Sequence, residues 1–383
     1  MSEYYSFYEN LRAMGPMKIN ETWLISRFQD VKTAFEAPEA FTNDKTTPFF
    51  AYNSDIESYS YKERFAREVL EKWINHTNND VSHIKNQLTS QLFSYVQNDM
   101  DSCIENTLKS ILDSMEGDTL DYKKDIAIPV MSRISEGVLG ISQSAKTSQF
   151  DELLYKHADS VSFLREEVYL DKTMAEKFAD SLLYFLKLGS DFTGDYDVFD
   201  KEEYDISNFD IFQIQQSIVF SAMVFNTVIL LCNTIKILIE NKDKFNKSEL
   251  NKAILEAIRL ESPIQSTLRI TKEKVEIGGV NIPKGENLIL LIGSANRDDE
   301  QGKLIEPDSF KIDRTRKPIM TFGHGVHACI GKHMSLRIAE IVNKELLYNN
   351  NASLVEFEWD KQLKGHRDLQ LLKVKLDSKI SIT

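Results

Sequence analysis

Apolar residues recur at spacings of three and four through most of this chain, with strand-like patterns in short stretches near its N-terminus and in its last third. From about Val81 to Lys187 the helical period dominates, as at Leu88, Leu92, Tyr95 and Val96, and again at Phe178, Leu182, Phe185 and Leu186. Gly194, Asp195 and Asp197 mark a polar turn. A long helix is then predicted from about Phe209 to Asn241, apolar on most faces through its middle, and ~45 Å long at 1.5 Å per residue. Another helix, Ser248 to Leu260, stops near Pro263. Strands are predicted at Trp23 to Phe28, followed by a helix over Asp30 to Ala37, and within VEIGGVNIPKGENLILLI, where Gly278-Gly279 and Pro283-Lys284-Gly285 are turn signals. The segment from Leu369 to Thr383 alternates again. The pattern predicts a mainly α fold with a small β-rich lobe. With no repeat and no polar linker, residues 1–383 read as one domain.

Composition narrows the function classes. The 383 residues are 42% hydrophobic, ample for a large core, and carry a net charge of −13, which argues against nucleic acid as a partner. Cys103, Cys232 and Cys329 lie far apart, with no C-x-x-C spacing, so a reducing compartment is expected rather than a disulfide framework. The N-terminal residues MSEYYSFYENLRAMG carry charge early and lack an apolar run. The most apolar stretch, Ile218 to Cys232, contains Ser221, Asn226 and Thr227 and falls short of the roughly 18 residues of a membrane span. A soluble, cytoplasmic monomer with no membrane contact is the expectation.

Chemistry concentrates in Phe322 to Gly331, FGHGVHACIG. Gly323, Gly325 and Gly331 allow backbone conformations that other residues resist, and close approach to a flat ligand. Cys329 on such a loop can present its sulfur as a thiolate ligand. The run matches F-G-x-G-x-H-x-C-x-G at every fixed position and so resembles the cytochrome P-450 family; WLISRFQDVKTAFEAPEAFTND also resembles the first strand and following helix of its soluble bacterial members. The resemblance implies the cytochrome P-450 fold and a haem-thiolate oxidoreductase, with heme b (iron protoporphyrin IX) as cofactor and Cys329 as axial metal ligand. A thiolate pushes electron density onto haem iron and favours cleavage of a bound O–O bond. Phe322 would shield the sulfur. His327 would hydrogen-bond a haem propionate, and Arg269 would pair with one through its planar fork. His83 is a further propionate candidate, with His76-Thr77 a competing alignment.

Glu256 and Arg259 form the family's E-x-x-R pair, whose spacing puts both side chains on one helix face. Its role there is structural. The usual third partner is an arginine near Pro307-Asp308-Ser309-Phe310, where this chain has Ser309; Arg314 and Arg297 are the candidates to replace it.

The departure lies on the long helix. Where bacterial members carry A-G-x-(D/E)-T-T, this chain has Ala222-Met223-Val224-Phe225-Asn226-Thr227. Phe225 carries no proton, Asn226 is a poor acid, and Thr227 sits one position, about 100°, further round the helix. Asn226 and Thr227 are therefore the candidates for proton delivery. Three readings follow: a monooxygenase in which the substrate or a water held by Asn226 completes the relay; a peroxide-using or redox-neutral enzyme; and a catalytically weak haem-binding recruitment module. Met223, Phe225, Ile264 and Leu268 would line an apolar pocket for a small hydrophobic or aromatic substrate, with secondary metabolism as the setting by family analogy. Arg314, Arg316, Lys317, Lys332, His333, Arg337 and Lys344 flank the cysteine loop and suit docking of an acidic ferredoxin or flavodoxin.

Overall fold

In the computed structural model the described residues are 3–42, 55–79, 81–139, 150–162, 171–188, 211–299, 306–315, 319–325, 328–360 and 365–377. They fall into two compact units. One comprises Met1–Asn43, Glu116–Lys123 and Ile229–Thr383; the other comprises Asp44–Met115 and Lys124–Val228.

The first unit opens with helix α1 (Glu3–Met14), which buries Tyr5, Tyr8 and Leu11. Gly15 closes it in the left-handed region at φ 79°, its amide donating to Leu11 O at 3.0 Å, a C-terminal cap that glycine adopts without strain. Strands β1 (Met17–Ile19) and β2 (Thr22–Ile25) follow, then helix α2 (Phe28–Glu36) and the short β3 (Phe41–Thr42). The strand predicted to reach Phe28 thus ends at Ile25, and Phe28 begins the helix. The reason is tertiary: the Phe28 amide donates to Asp298 Oδ2 at 2.7 Å, so the cap comes from a residue far away in sequence.

Helices α3 (Tyr61–Asn79), α4 (Val81–Asn98), α5 (Met100–Ser114), α6 (Ile128–Leu139), α7 (Phe150–Ser162) and α8 (Lys172–Leu188) make up the described part of the second unit, together with the first half of α9 (Ile211–Glu240). Between α5 and α6 the chain leaves this unit for β4 (Thr119–Asp121), an interruption of the helical stretch that three residues are too few to announce. Within the unit Leu88, Leu92, Phe178, Leu182 and Phe185 are buried, as their spacing predicts.

Helix α9 is longer in apolar character than the stretch first singled out. Gln216–Glu240 has the length and composition of a membrane span, contrary to the shorter stretch expected from the sequence. In its most apolar window, however, 83% of the residues are buried within the protein, the signature of a core helix, and the expectation of a buried helix holds.

After α9 come α10 (Leu250–Leu260), β5 (Ser266–Thr271), β6 (Val275–Ile277), β7 (Val280–Ile282), β8 (Asn287–Leu291), the single-turn α11 (Ile292–Ala295), α12 (Lys332–Lys344), β9 (Ser353–Trp359) and β10 (Leu369–Lys375). The main sheet has the order β1-β2-β8-β5-β3, with β2 and β8 parallel and β5 antiparallel to β8, so that Arg269 stands opposite Leu288. β6 and β7 form a hairpin whose turn residues Gly278 and Gly279 both have positive φ, the geometry that favours glycine there. β4, β10 and β9 form a separate sheet. Ile25, Leu288 and Leu290 of the main sheet pack with Val31, Ile277 and Met320 in one buried core.

Candidate functional site

The cysteine loop is built by a turn and a helix. Met320–Phe322 form a single 3-10 turn, closed by the Gly323 amide donating to Met320 O at 2.8 Å. Gly323 then sits at φ 65°, ψ −175°, a conformation open essentially to glycine alone. Gly325 has φ 68°, and a Cβ there would lie 2.9 Å from Phe35 O at the end of α2, so backbone packs directly against backbone. The Cys329 amide returns to the turn, donating to Phe322 O at 2.8 Å. Helix α12 starts at Lys332, three residues on, and its N-terminal dipole favours a negative sulfur at this place. Cys329 is exposed, whereas Cys232 is buried and desolvation pushes its thiol far above the ordinary range. Of these two, only Cys329 has the setting of a ligand. Phe322 is buried beside it with Lys332 Nζ 5.7 Å from its ring centre. Val326 and His327 lie outside the described residues.

Arg269 provides a test of whether this unit suits an anionic cofactor. Its side chain is 9% exposed and reaches Leu268 O at 2.7 Å and Thr267 Oγ1 at 3.5 Å, with its guanidinium 5.2 Å from the Phe35 ring centre. Among the described residues no carboxylate pairs with it. Burial alone lowers its pKa to about 10. A buried, permanently charged fork with no counter-ion is costly unless an anion joins it, and a haem propionate is such a group. Phe35 touches both features, since its ring faces Arg269 and its carbonyl faces Gly325. The residues therefore fit a haem.

The E-x-x-R pair is buried, Glu256 at 6% and Arg259 at 7% exposure. Arg259 Nε and Nη2 donate to the two oxygens of Glu256 at 2.8 and 2.7 Å, and Nη1 donates to Asn296 O at 3.1 Å and Pro307 O at 2.7 Å. Burial lowers the Arg259 pKa, opposed by the Glu256 carboxylate. The open question of the third partner is answered by Arg314, whose Nε donates to Glu256 Oε1 at 2.9 Å. Arg297 does something else: it binds Asp308 Oδ1 at 2.6 Å and Leu260 O at 2.6 Å, and lies over the Tyr5 ring at 3.5 Å. Arg314 is thereby turned inward and is lost to the basic surface predicted around the loop. Lys332, His333, Arg337 and Lys344 remain exposed on α12, with Arg337 paired to Glu340 at 2.8 Å. Arg316 and Lys317 lie outside the described residues.

The other candidates are placed less close to chemistry. Leu268 is buried in β5, and Ile264 bridges to His366 and packs against the core beneath the sheet. Met223, Phe225, Asn226 and Thr227 all belong to the half of α9 in the second unit. Phe225 is 3% exposed with its ring 5.7 Å from that of Tyr155. Asn226 Nδ2 donates to Ala222 O at 2.6 Å, within its own helix. His83 falls on α4, but its side chain and those of His76 and Thr77 lie outside the described part. Sequence reasoning missed Ser262, Asn296 and Thr321, which are buried together next to the cysteine turn and belong to no motif.

The cytochrome P450 family model matches residues 246–364, the part of the chain that holds α10, β5 and the cysteine loop. The biotin biosynthesis cytochrome P450 of Bacillus subtilis is 36% identical over 155 residues, 39% of this chain and 39% of that protein's length. Cytochrome P450 119 of Sulfurisphaera tokodaii is 26% identical over 90% of this chain and 95% of its own. Among solved structures, P450BioI in complex with an acyl carrier protein ligated to hexadec-9Z-enoic acid superimposes with a TM-score of 0.77, at 21% identity and 98% coverage of both chains. CalO2 gives 0.75 at 17% identity, covering 98% of this chain and 96% of its own, so the fold is shared along the whole length. Residues 246–364 thus match the cytochrome P450 family model, and the fold of solved cytochrome P450 structures extends over the whole chain.

Proposed function

We propose that this chain, working as a single domain, is a haem-thiolate monooxygenase that oxidises a small hydrophobic or aromatic substrate. The observation that carries the reading is Cys329, exposed on a glycine-shaped loop at the N-terminal approach of α12. Cys329 holds the iron of heme b, Phe322 shields the sulfur, and Arg269 neutralises a propionate; His327 and His83 are assigned the other propionate contacts. A thiolate-ligated haem supplies the dioxygen chemistry, the sulfur's electron density favouring O–O cleavage. The protein's part is to keep the sulfur ionised and dry, to fix the haem edge, and to manage protons on α9. Asn226 and Thr227 are assigned to that last task. Exposed Lys332, His333 and Lys344 receive an acidic ferredoxin or flavodoxin. The substrate is either free or borne by a carrier protein, as the fatty acyl group is in the P450BioI complex. The proposed setting is cytoplasmic secondary metabolism.

The reduced protein with carbon monoxide is expected to give a thiolate-type Soret band, and Cys329→Ala to abolish it while leaving the protein folded. Persistence of that band in the Ala variant would refute the ligand assignment. Turnover with ferredoxin, ferredoxin reductase and reduced nicotinamide should exceed turnover with hydrogen peroxide. Equal rates would remove the monooxygenase reading in favour of peroxide use.

A further inference from the structure

We infer that Asn296 and Thr321 are positioning residues that set the cysteine turn, and through it the sulfur. The inference rests on the reading of Cys329 as the haem ligand. Thr321 is the middle residue of the Met320–Phe322 turn and is buried. Asn296 grips that turn twice: its Oδ1 accepts from the Met320 amide at 2.9 Å, and its Nδ2 donates to Thr321 Oγ1 at 2.8 Å. On the other side Thr321 Oγ1 lies 2.9 Å from Ser262 Oγ.

The direction of each hydrogen bond follows from counting protons. Ser262 has one hydroxyl proton and gives it to Ile264 O at 2.7 Å, so its oxygen accepts from Thr321. Thr321 therefore accepts from Asn296 and donates to Ser262, a chain of fixed polarity among groups that are all buried. At its upstream end the Asn296 carbonyl accepts from Arg259 Nη1, so the grip is tied to the buried Glu256–Arg259–Arg314 cluster. At its downstream end the turn's last carbonyl, Phe322 O, accepts the Cys329 amide. One contiguous set of hydrogen bonds runs from the ion-pair cluster to the residue that bears the sulfur. Gly323 and Gly325, in conformations with little intrinsic preference for one basin, need such an external reference to hold the loop in one place.

The chain also explains why threonine is suited to position 321. Valine matches it in shape but can neither accept from Asn296 nor donate to Ser262, leaving both buried groups without this partner. Serine retains both bonds. A role confined to stability would show as a lowered melting temperature in Thr321→Val, with the haem signature of the folded fraction unchanged. A positioning role alters the ligand itself.

The experiment compares wild type, Thr321→Val, Thr321→Ser and Ser262→Ala as haem-loaded protein. Three quantities are read: the share of the thiolate-type Soret band with carbon monoxide, the ferric/ferrous reduction potential, and the rate of haem loss to a scavenging globin. Thr321→Val is expected to lose haem about tenfold faster, as for other outer-shell partners of metal ligands, with a reduced share of the thiolate band and a displaced potential. Thr321→Ser should restore all three. Ser262→Ala removes only the far acceptor and should give a smaller change in the same direction, which keeps the test decisive if Thr321→Val fails to fold. Unchanged band, potential and haem-loss rate in a folded Thr321→Val, or in Ser262→Ala if that variant alone folds, would overturn the inference. Absence of the thiolate band in the wild type would instead overturn the ligand assignment on which it rests.

Discussion

Replacing Arg269 by glutamine should strengthen the haem-free fold and weaken its hold on haem, and the two effects have one origin. Arg269 is buried with Leu268 O and Thr267 Oγ1 as its hydrogen-bond partners, and no carboxylate faces it among the described residues. The fall of its pKa from the ordinary arginine value to about 10 corresponds to ~3 kcal/mol, at ~1.4 kcal/mol per pKa unit. At neutral pH the guanidinium is protonated in both folded and unfolded chains, so this cost is fully present. The Phe35 ring at 5.2 Å returns about 1 kcal/mol of it. Glutamine keeps a donor without the charge, so Arg269→Gln is expected to raise the unfolding free energy of the haem-free protein by ~1–2 kcal/mol, read from urea denaturation followed by tryptophan fluorescence. The sign with pH follows by linkage. The unfolded chain holds this proton more tightly than the folded one, so wild-type stability rises as pH passes about 10, and the advantage of the variant shrinks there. With haem bound the order reverses, because the propionate loses its counter-ion; haem loss should be about tenfold faster in the variant. A haem-free Arg269→Gln protein that unfolds at lower urea than wild type, with haem loss unchanged, would show Arg269 to be an ordinary structural arginine.

Further outcomes follow from the same geometry. Arg259→Ala leaves the Glu256 carboxylate with Arg314 and the Lys311 amide but strips the carbonyls of Asn296 and Pro307 of a donor; a loss of ~3–5 kcal/mol is expected in urea unfolding, and a loss under ~1 kcal/mol would mean the pair is dispensable. Gly325→Ala combines a positive φ with a Cβ 2.9 Å from Phe35 O, and should cost ~1–3 kcal/mol and lower haem occupancy at fixed haem concentration. On α9, Phe225→Asp would bury a carboxyl against Tyr155 and cost at least ~3 kcal/mol, so the family's acid cannot be restored by that change alone. Asn226→Thr is the informative substitution: a hydroxyl both accepts and donates, whereas the asparagine amide is directed to Ala222 O, so less hydrogen peroxide per reductant consumed is expected. Unchanged peroxide release would place proton delivery elsewhere.

How far the sequence carries depends on how local each feature is. The cysteine loop is legible because its pattern lies within ten consecutive residues, with glycine at positions 323 and 325, where φ is positive. The Glu256–Arg259 pair is legible because a helix puts residues three apart on one face. The choice between Arg314 and Arg297 is not, since both flank the same stretch and only the fold turns one toward Glu256 and the other toward Asp308 and Tyr5. Asp298 capping Phe28, Thr119–Asp121 pairing with β10, and Asn296 gripping Met320 are equally silent, each being an interaction between segments far apart in the chain.

The same distinction bears on what is peculiar to this chain. The cysteine loop and the Glu256–Arg259 pair sit in the first unit, where positive φ at the loop glycines and a buried ion cluster restrict the residues allowed. The residues that differ from the resembled motif sit on the part of α9 that belongs to the second unit, where the Phe225 ring lies 5.7 Å from that of Tyr155 and Asn226 bonds back to its own helix. Packing of that kind needs neither an acid nor a hydroxyl at these positions. Retaining a desolvated Arg269 does demand something, because no carboxylate among the described residues pairs with it and the Phe35 ring returns only part of the cost. A haem propionate would offset the charge of Arg269, and a proton source on α9 would have to be something other than a carboxyl at position 225. The Arg269→Gln and Asn226→Thr experiments separate those two statements.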